Sequence, residues 1–152
     1  MEFFKATTIK TEDCQLRNMV IMGRKTWESI PEKHRPLEGR KNVILTRNKK
    51  FEAPEGAHVA HSFKQALDLA DERIDQIFVM GGAKIYEQAL KRKDIKGMYI
   101  TKVNSTFKCD AFFPKPPRFP KKQMLDSGKE GDLDYEFWLY TKPAPKWRSR
   151  KR

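Results

Sequence analysis

Short apolar runs and amphipathic stretches alternate along most of the chain. Residues 18–22 (NMVIM) form a run closed by Gly23, the pattern of a strand buried on both faces. Residues 24–30 read as a short helix that stops before Pro31, because the residue preceding proline disfavours the helical region. A loop punctuated by Pro36 and Gly39 leads to a second buried strand at 42–46 (NVILT) and, after a Pro54-Glu55-Gly56 turn, to a weaker one at 57–61. Ser62 is a helix N-cap for residues 63–70, where Phe63, Ala66, Leu67 and Ala70 recur at helical spacing. Residues 76–80 (QIFVM) give a fourth strand, Gly81-Gly82 opens a helix through Leu90, and residues 98–103 give a fifth strand. Residues 107–113 and 135–140 read as strands with no helix between them, separated by a proline-rich loop at 114–120. Strand–helix–strand units require right-handed parallel crossovers. The fold class is therefore α/β: one mixed, mostly parallel sheet with helices on both faces and an antiparallel edge.

Composition narrows the class. The 152 residues suit one domain, with 38% hydrophobic and 34% charged residues, which is not the balance of a disordered chain. No apolar run approaches the roughly 20 residues of a membrane helix, and residues 1–10 lack the pattern of a secretory signal. Cys14 and Cys109 make no disulfide framework and read as reduced thiols of a cytoplasmic or organellar interior, mitochondria included. The net charge is +12, and the last eleven residues hold six bases and no acid. Beyond a domain of 1–142, the tail 143–152 carries five of these bases and favours a polyanion. Trp147 among Lys146, Arg148, Arg150, Lys151 and Arg152 could stack on an RNA base while the bases meet phosphates; a charged end without a partner fits the same residues.

Ligands of open α/β sheets bind beyond the carboxyl ends of parallel strands. Gly23-Arg24-Lys25-Thr26 follows the first strand, where helix N–H groups, two bases and a hydroxyl suit a phosphate; a capped helix with solvated bases has the same pattern. Gly81-Gly82 lets a ligand approach the backbone, though a glycine pair is also an ordinary strand-to-helix turn, and the GxGxxG fingerprint is absent. Arg47 is a third base at a strand end. His34, His58 and His61 have no metal spacing with the cysteines, and no metal site is expected. Asp110, between apolar neighbours, reads as a turn-capping acid.

Four segments occurring in this order resemble the dihydrofolate reductase family in its eukaryotic form: VIMGRKTWESIPEKHRPLEGRKNVILTR (20–47), IFVMGGAKIYEQAL (77–90), YITKV (99–103) and FKCDAFFP (107–114). The resemblance implies NADPH-dependent reduction of dihydrofolate to tetrahydrofolate. It places Gly23, Arg24, Lys25 and Thr26 on the cofactor phosphates and Thr46 and Arg47 around the adenosine 2′-phosphate. Gly81, Gly82, Ala83, Lys84 and Ile85 fall on the pyrophosphate turn, with Met80 and Tyr86 near the nicotinamide. Arg40 falls on the arginine that clamps the substrate's glutamate carboxylate, and Phe4, Ser29, Ile30 and Leu37 on the wall around its rings. Thr101 falls on the threonine that hydrogen-bonds the catalytic acid.

The family places a first, central strand, a mobile loop and that acid before the helix carrying Phe4, the acid four residues ahead of it. Counting back four positions from Phe4 passes Met1, and Glu2 lies about 200° around a helix from the required face. No catalytic acid is assigned, and Thr101 is left as the partner of a missing one. Without the central strand, buried N–H and C=O groups would each cost roughly 1–3 kcal/mol against a total stability of about 5–15 kcal/mol. Three accounts follow: a reductase whose sequence here is incomplete; a catalytically dead homologue kept as a subunit of an RNA-containing, ribosome-like assembly; or half of a split enzyme whose second chain fills the central slot. A linker from the tail to a thymidylate synthase domain is a lesser fourth. Because the phosphate-binding positions are intact, NADPH binding is expected to survive better than catalysis.

Overall fold

A computed structural model describes residues 2–143. The chain divides into two compact units, Met1–Ala89 and Leu90–Arg152. The first contains α1 (Glu2–Ile9), β1 (Arg17–Gly23), α2 (Arg24–Ser29), a 3-10 turn (Glu32–His34), β2 (Arg40–Leu45), β3 (Ala57–Ala60), α3 (Phe63–Asp68), β4 (Ile74–Val79) and nearly all of α4 (Ala83–Leu90). Its four strands lie in the order β3-β2-β1-β4, all parallel.

β1 is central, and the apolar run predicts its burial. Met19 and Ile21 point to one face and pack with Val43, Phe63, Ala66, Ile85 and Ala89, so α3 and α4 cover that side. Val20 and Met22 point to the other and pack with Trp27 of α2 and Ile44. Both layers exclude water from the parallel ladder, as such a sheet requires; fully burying each of these side chains contributes roughly 1.5–3 kcal/mol. Ser62 caps α3 by accepting from Gln65 N–H at 3.0 Å. Asn18, fully buried at the start of β1, donates to the carbonyls of Thr8 and Lys10 and accepts from Gln76 N–H. One amide thus ties the end of α1 and the edge of β4 to β1.

The second unit is antiparallel: β5 (Gly97–Val103), β6 (Lys121–Glu130) and β7 (Leu133–Thr141) in the order β5-β7-β6. Gly131, at φ +58°, and Asp132 make the two-residue turn between β6 and β7, where a left-handed residue matches the twist of a hairpin. Lys102 lies over the rings of Trp138 (4.5 Å) and Tyr140 (5.7 Å), and Trp138 Nε1 donates to Glu136 at 2.6 Å.

The α/β class stands, with a parallel sheet and an antiparallel edge sheet, while two details of the expectation change. The strands form two sheets rather than one, with β4 outermost in the first and β5 outermost in the second. Residues 107–113 form no strand, and Phe107, Phe112 and Phe113 are exposed. β6 takes their place beside β7; with β5 on its other side, β7 has no free edge left for residues 107–113. The tail residues Lys146, Trp147, Arg148, Arg150, Lys151 and Arg152 lie outside the described residues. No helix among the described residues is long and apolar enough to cross a membrane.

Candidate functional site

The carboxyl ends of β1 and β4 are laced together. Met80 N–H donates to Ile21 O and Gly23 N–H to Gly81 O, each at 2.8 Å. The two turns that follow these strands, Gly23-Arg24 and Gly81-Gly82, are therefore neighbours. Gly81 has φ +109°, a conformation that a side chain would strain, and a Cβ there would meet the Tyr86 ring at 3.1 Å. A Cβ on Gly23 would lie 3.0 Å from Ile85 Cδ1 and 3.7 Å from Gly81 O and Gly82 N. One on Gly82 would come within 4.0 Å of Thr26 Oγ1. The Gly23 and Gly81 positions are thus filled by the Ile85 side chain and the Tyr86 ring, and the open cradle is the exposed Gly82 backbone beside the Thr26 hydroxyl. Gly82 O accepts the first N–H bonds of α4, from Ile85 and Tyr86 at 3.0 Å, which leaves the earlier N–H groups of that helix outside its own ladder.

Around the cradle, Lys25, Gly82, Ala83 and Lys84 are exposed and Arg24 is half-exposed with Glu28 3.4 Å away. Met80 and Tyr86 are half-buried, and burial raises the Tyr86 phenol above its ordinary range, keeping it protonated. Ser29 is exposed and its hydroxyl donates to Thr26 O at 2.6 Å. Thr46 lies one residue past the end of β2, buried, its Oγ1 accepting from Asn48 N–H at 3.1 Å. Arg47 beside it is exposed. Every candidate for cofactor phosphate or ribose in this unit therefore lies at the carboxyl end of the parallel strands.

Arg40 sits at the other end. It opens β2, in register with Asn18, while Gly23 pairs with Leu45; five residues of parallel strand separate the two ends by about 16 Å. The Arg40 guanidinium is buried. Its Nη1 donates to Thr8 Oγ1 at 2.8 Å, its Nε donates to Glu38 O at 3.0 Å, and its carbon lies 5.9 Å from the Phe4 ring centre. Desolvation lowers its pKa, partly offset by Glu38. These bonds use two of five N–H donors, and no carboxylate lies in ion-pair range among the described residues. Thr8 is itself buried and donates to Phe4 O at 2.8 Å, so α1 delivers Phe4 and the arginine's partner together. Phe4 is 36% exposed; Ile30 and Leu37 are half-buried against the Trp27 cluster.

Thr101 lies in β5 of the second unit, exposed and opposite Phe137, with no hydrogen bond from its hydroxyl to a carboxylate among the described residues. Sequence reasoning missed Thr8, Asn18 and Asn42. Asn42 donates to the Leu37 and Arg40 carbonyls and accepts from Leu37 N–H, which shapes the loop before β2. An asparagine opening each of two buried apolar runs was the available signal. Among the described residues no group of His, Cys, Asp and Glu could hold a metal, and both cysteines are free and exposed.

Comparison with known proteins agrees on one family. The family profile described as Dihydrofolate reductase matches residues 1–142. The chain is similar to Dihydrofolate reductase of Bos taurus, 36% identical over 154 residues, covering 92% of this chain and 81% of the relative. It is 40% identical over 121 residues to Bifunctional dihydrofolate reductase-thymidylate synthase 2 of Arabidopsis thaliana, covering 75% of this chain and only 21% of that longer protein. Among solved structures, Schistosoma mansoni Dihydrofolate reductase superposes with a TM-score of 0.82 at 35% identity, over 94% of this chain and 84% of that one.

Proposed function

Because the chain belongs to the dihydrofolate reductase family, we propose that its parallel-sheet unit binds NADPH at the two glycine turns and holds dihydrofolate by its glutamate carboxylate at Arg40. The cofactor of this family is NADPH. The cradle at Gly82 carries the reading: exposed and without a side chain, it admits a pyrophosphate to backbone contact, with Lys25, Lys84 and the Thr26 hydroxyl beside it. Thr46 and Arg47, at the end of β2, suit the 2′-phosphate. NADPH supplies the hydride. Arg40 contributes a carboxylate anchor, its guanidinium held by Thr8 and the Glu38 carbonyl with donors to spare. Phe4, Ile30 and Leu37 supply apolar surface for the substrate rings, and Ser29 a rim hydroxyl.

The reduction also needs a proton, and the described residues bring no carboxylate to Thr101. We therefore assign residues 1–152 a binding role without efficient turnover.

Calorimetric titration with NADPH and an assay of NADPH oxidation with dihydrofolate test the proposal. Residues 1–152 should bind NADPH and oxidise it slowly or not at all, and a polypeptide that supplies the strand and an acid should restore turnover. A folded sample that does not bind NADPH removes the cradle assignment. Full turnover by residues 1–152 alone removes the missing-acid assignment and leaves the binding site standing.

A further inference from the structure

The proline-rich segment at residues 114–120, PKPPRFP, has no role in the site described above. Its backbone is constrained almost throughout. Pro114, Pro116, Pro117 and Pro120 have φ fixed near −65°, and Lys115, Pro116 and Phe119 each precede a proline, which drives them to the extended or polyproline II region. Arg118 alone is under neither restriction. The segment is neither helix nor strand. A polyproline II helix repeats every three residues, which sorts these seven into three stripes. Pro114, Pro117 and Pro120 form the first, Lys115 and Arg118 the second, Pro116 and Phe119 the third. Phe119, 9% exposed, anchors the segment to the unit; Pro114 is half-buried, and Lys115, Pro116, Pro117, Arg118 and Pro120 are exposed.

We infer that residues 114–120 are a docking ligand for a protein domain with an aromatic-lined, acid-rimmed groove of the SH3 type. Such grooves seat prolines spaced three apart and gain affinity because the ligand is already extended before binding. The second stripe sets the charge of the partner. Lys115 and Arg118 have no acid between Asp110 and Asp126 to neutralise them locally. A groove of about 370 Å³ at the carboxyl end of the segment, lined in part by Pro120, Lys121 and Lys122, leaves room beside the last proline and adds two bases. A loop serving only as a spacer would need neither the three-residue period of prolines nor the matching stripe of bases.

The test titrates the whole chain calorimetrically against a set of purified SH3 domains with acidic groove rims, and separately against a single-stranded oligouridine. Saturable one-to-one binding to at least one domain is expected. It should weaken at least tenfold in the double variant Pro114→Ala, Pro117→Ala and severalfold in Arg118→Glu, with denaturation midpoints unchanged. Should the proline variant lose its fold, Arg118→Glu, at an exposed position, decides alone. The inference is overturned if no domain binds or if binding ignores these substitutions. It is also overturned if the chain prefers oligouridine through the bases with the prolines dispensable.

Discussion

The parallel-sheet unit and the antiparallel unit hold their strands by different means. In Met1–Ala89 both faces of β1 are sealed, and every member of the two core clusters belongs to this unit. Among the described residues of Leu90–Arg152 only Leu90 and Phe119 are buried hydrophobics, while Tyr99, Val103, Met124, Leu125 and Leu133 are exposed on the strands or their turn. That unit rests on hairpin hydrogen bonding and on rings stacked beneath Lys102. Charge divides the same way. The first unit has fifteen bases and thirteen acids, a net +2, whereas the second has seventeen bases and seven acids, a net +10. The basic character that composition reports for the chain is therefore a property of its second part. The unit assigned to an anionic cofactor is close to neutral, so its phosphate recognition depends on local geometry rather than on the field of the whole chain.

The largest effect should come from the core contrast. Ile21→Ala, fully buried at the centre of β1, is expected to cost about 2–5 kcal/mol. Val103→Ala, 41% exposed at the end of β5, should stay within about 0.5 kcal/mol. Urea denaturation of both variants measures the difference, and equal losses would show that the second unit buries more than its described surface.

Gly81→Ala comes next. Its Cβ would strain a φ of +109° and press on Tyr86. If the free turn relaxes to relieve a strain of about 1–3 kcal/mol that binding must restore, NADPH affinity falls by about 5- to 150-fold, read by titration. Binding unchanged by this substitution would disconnect the cradle from the cofactor.

The smallest effect separates two ion pairs. Lys41–Asp71, at 3.1 Å, joins β2 to the loop before β4, whereas Arg92–Asp94, at 2.6 Å, joins near neighbours. The hydrogen bond from Lys41 holds Asp71 below its ordinary pKa of 3.8, and the Arg92 hydrogen bond does the same for Asp94. A depressed carboxylate stabilises the fold above its unfolded pKa, and the contribution disappears as pH falls through the lower folded value. Asp71→Asn should therefore lower the denaturation midpoint at about pH 6, with the gap closing as the pH drops below 3.8. Asp94→Asn should move it less, because its partner is held close by the chain in any state. An Asp71→Asn gap that persists in acid would assign the loss to packing.

The difference between the units also explains what could be read in advance. NMVIM and NVILT announce buried strands because a parallel sheet covered on both sides must be apolar throughout, whereas QIFVM announces only a strand, since β4 is outermost in its sheet and Ile77 is exposed. β6, KKQMLDSGKE, carries no such pattern, since every position but one in it is exposed. Its only local signal is the Gly131-Asp132 turn. Residues 107–113, rich in phenylalanine, read as a strand on composition alone and are not one.

The sequence alone determined the parallel core, the glycine turns at its strand ends, the Ser62 cap and the family, because each follows from local periodicity or from residues close together in the chain. Tertiary structure decided the rest. It set which strand occupies the free edge of β7, that Asn18 links three elements, and that Arg40 lies buried against Thr8 of α1, thirty-two residues away. The physical reason is that edge pairing and the satisfaction of buried polar groups depend on partners that only the folded chain brings within hydrogen-bonding distance.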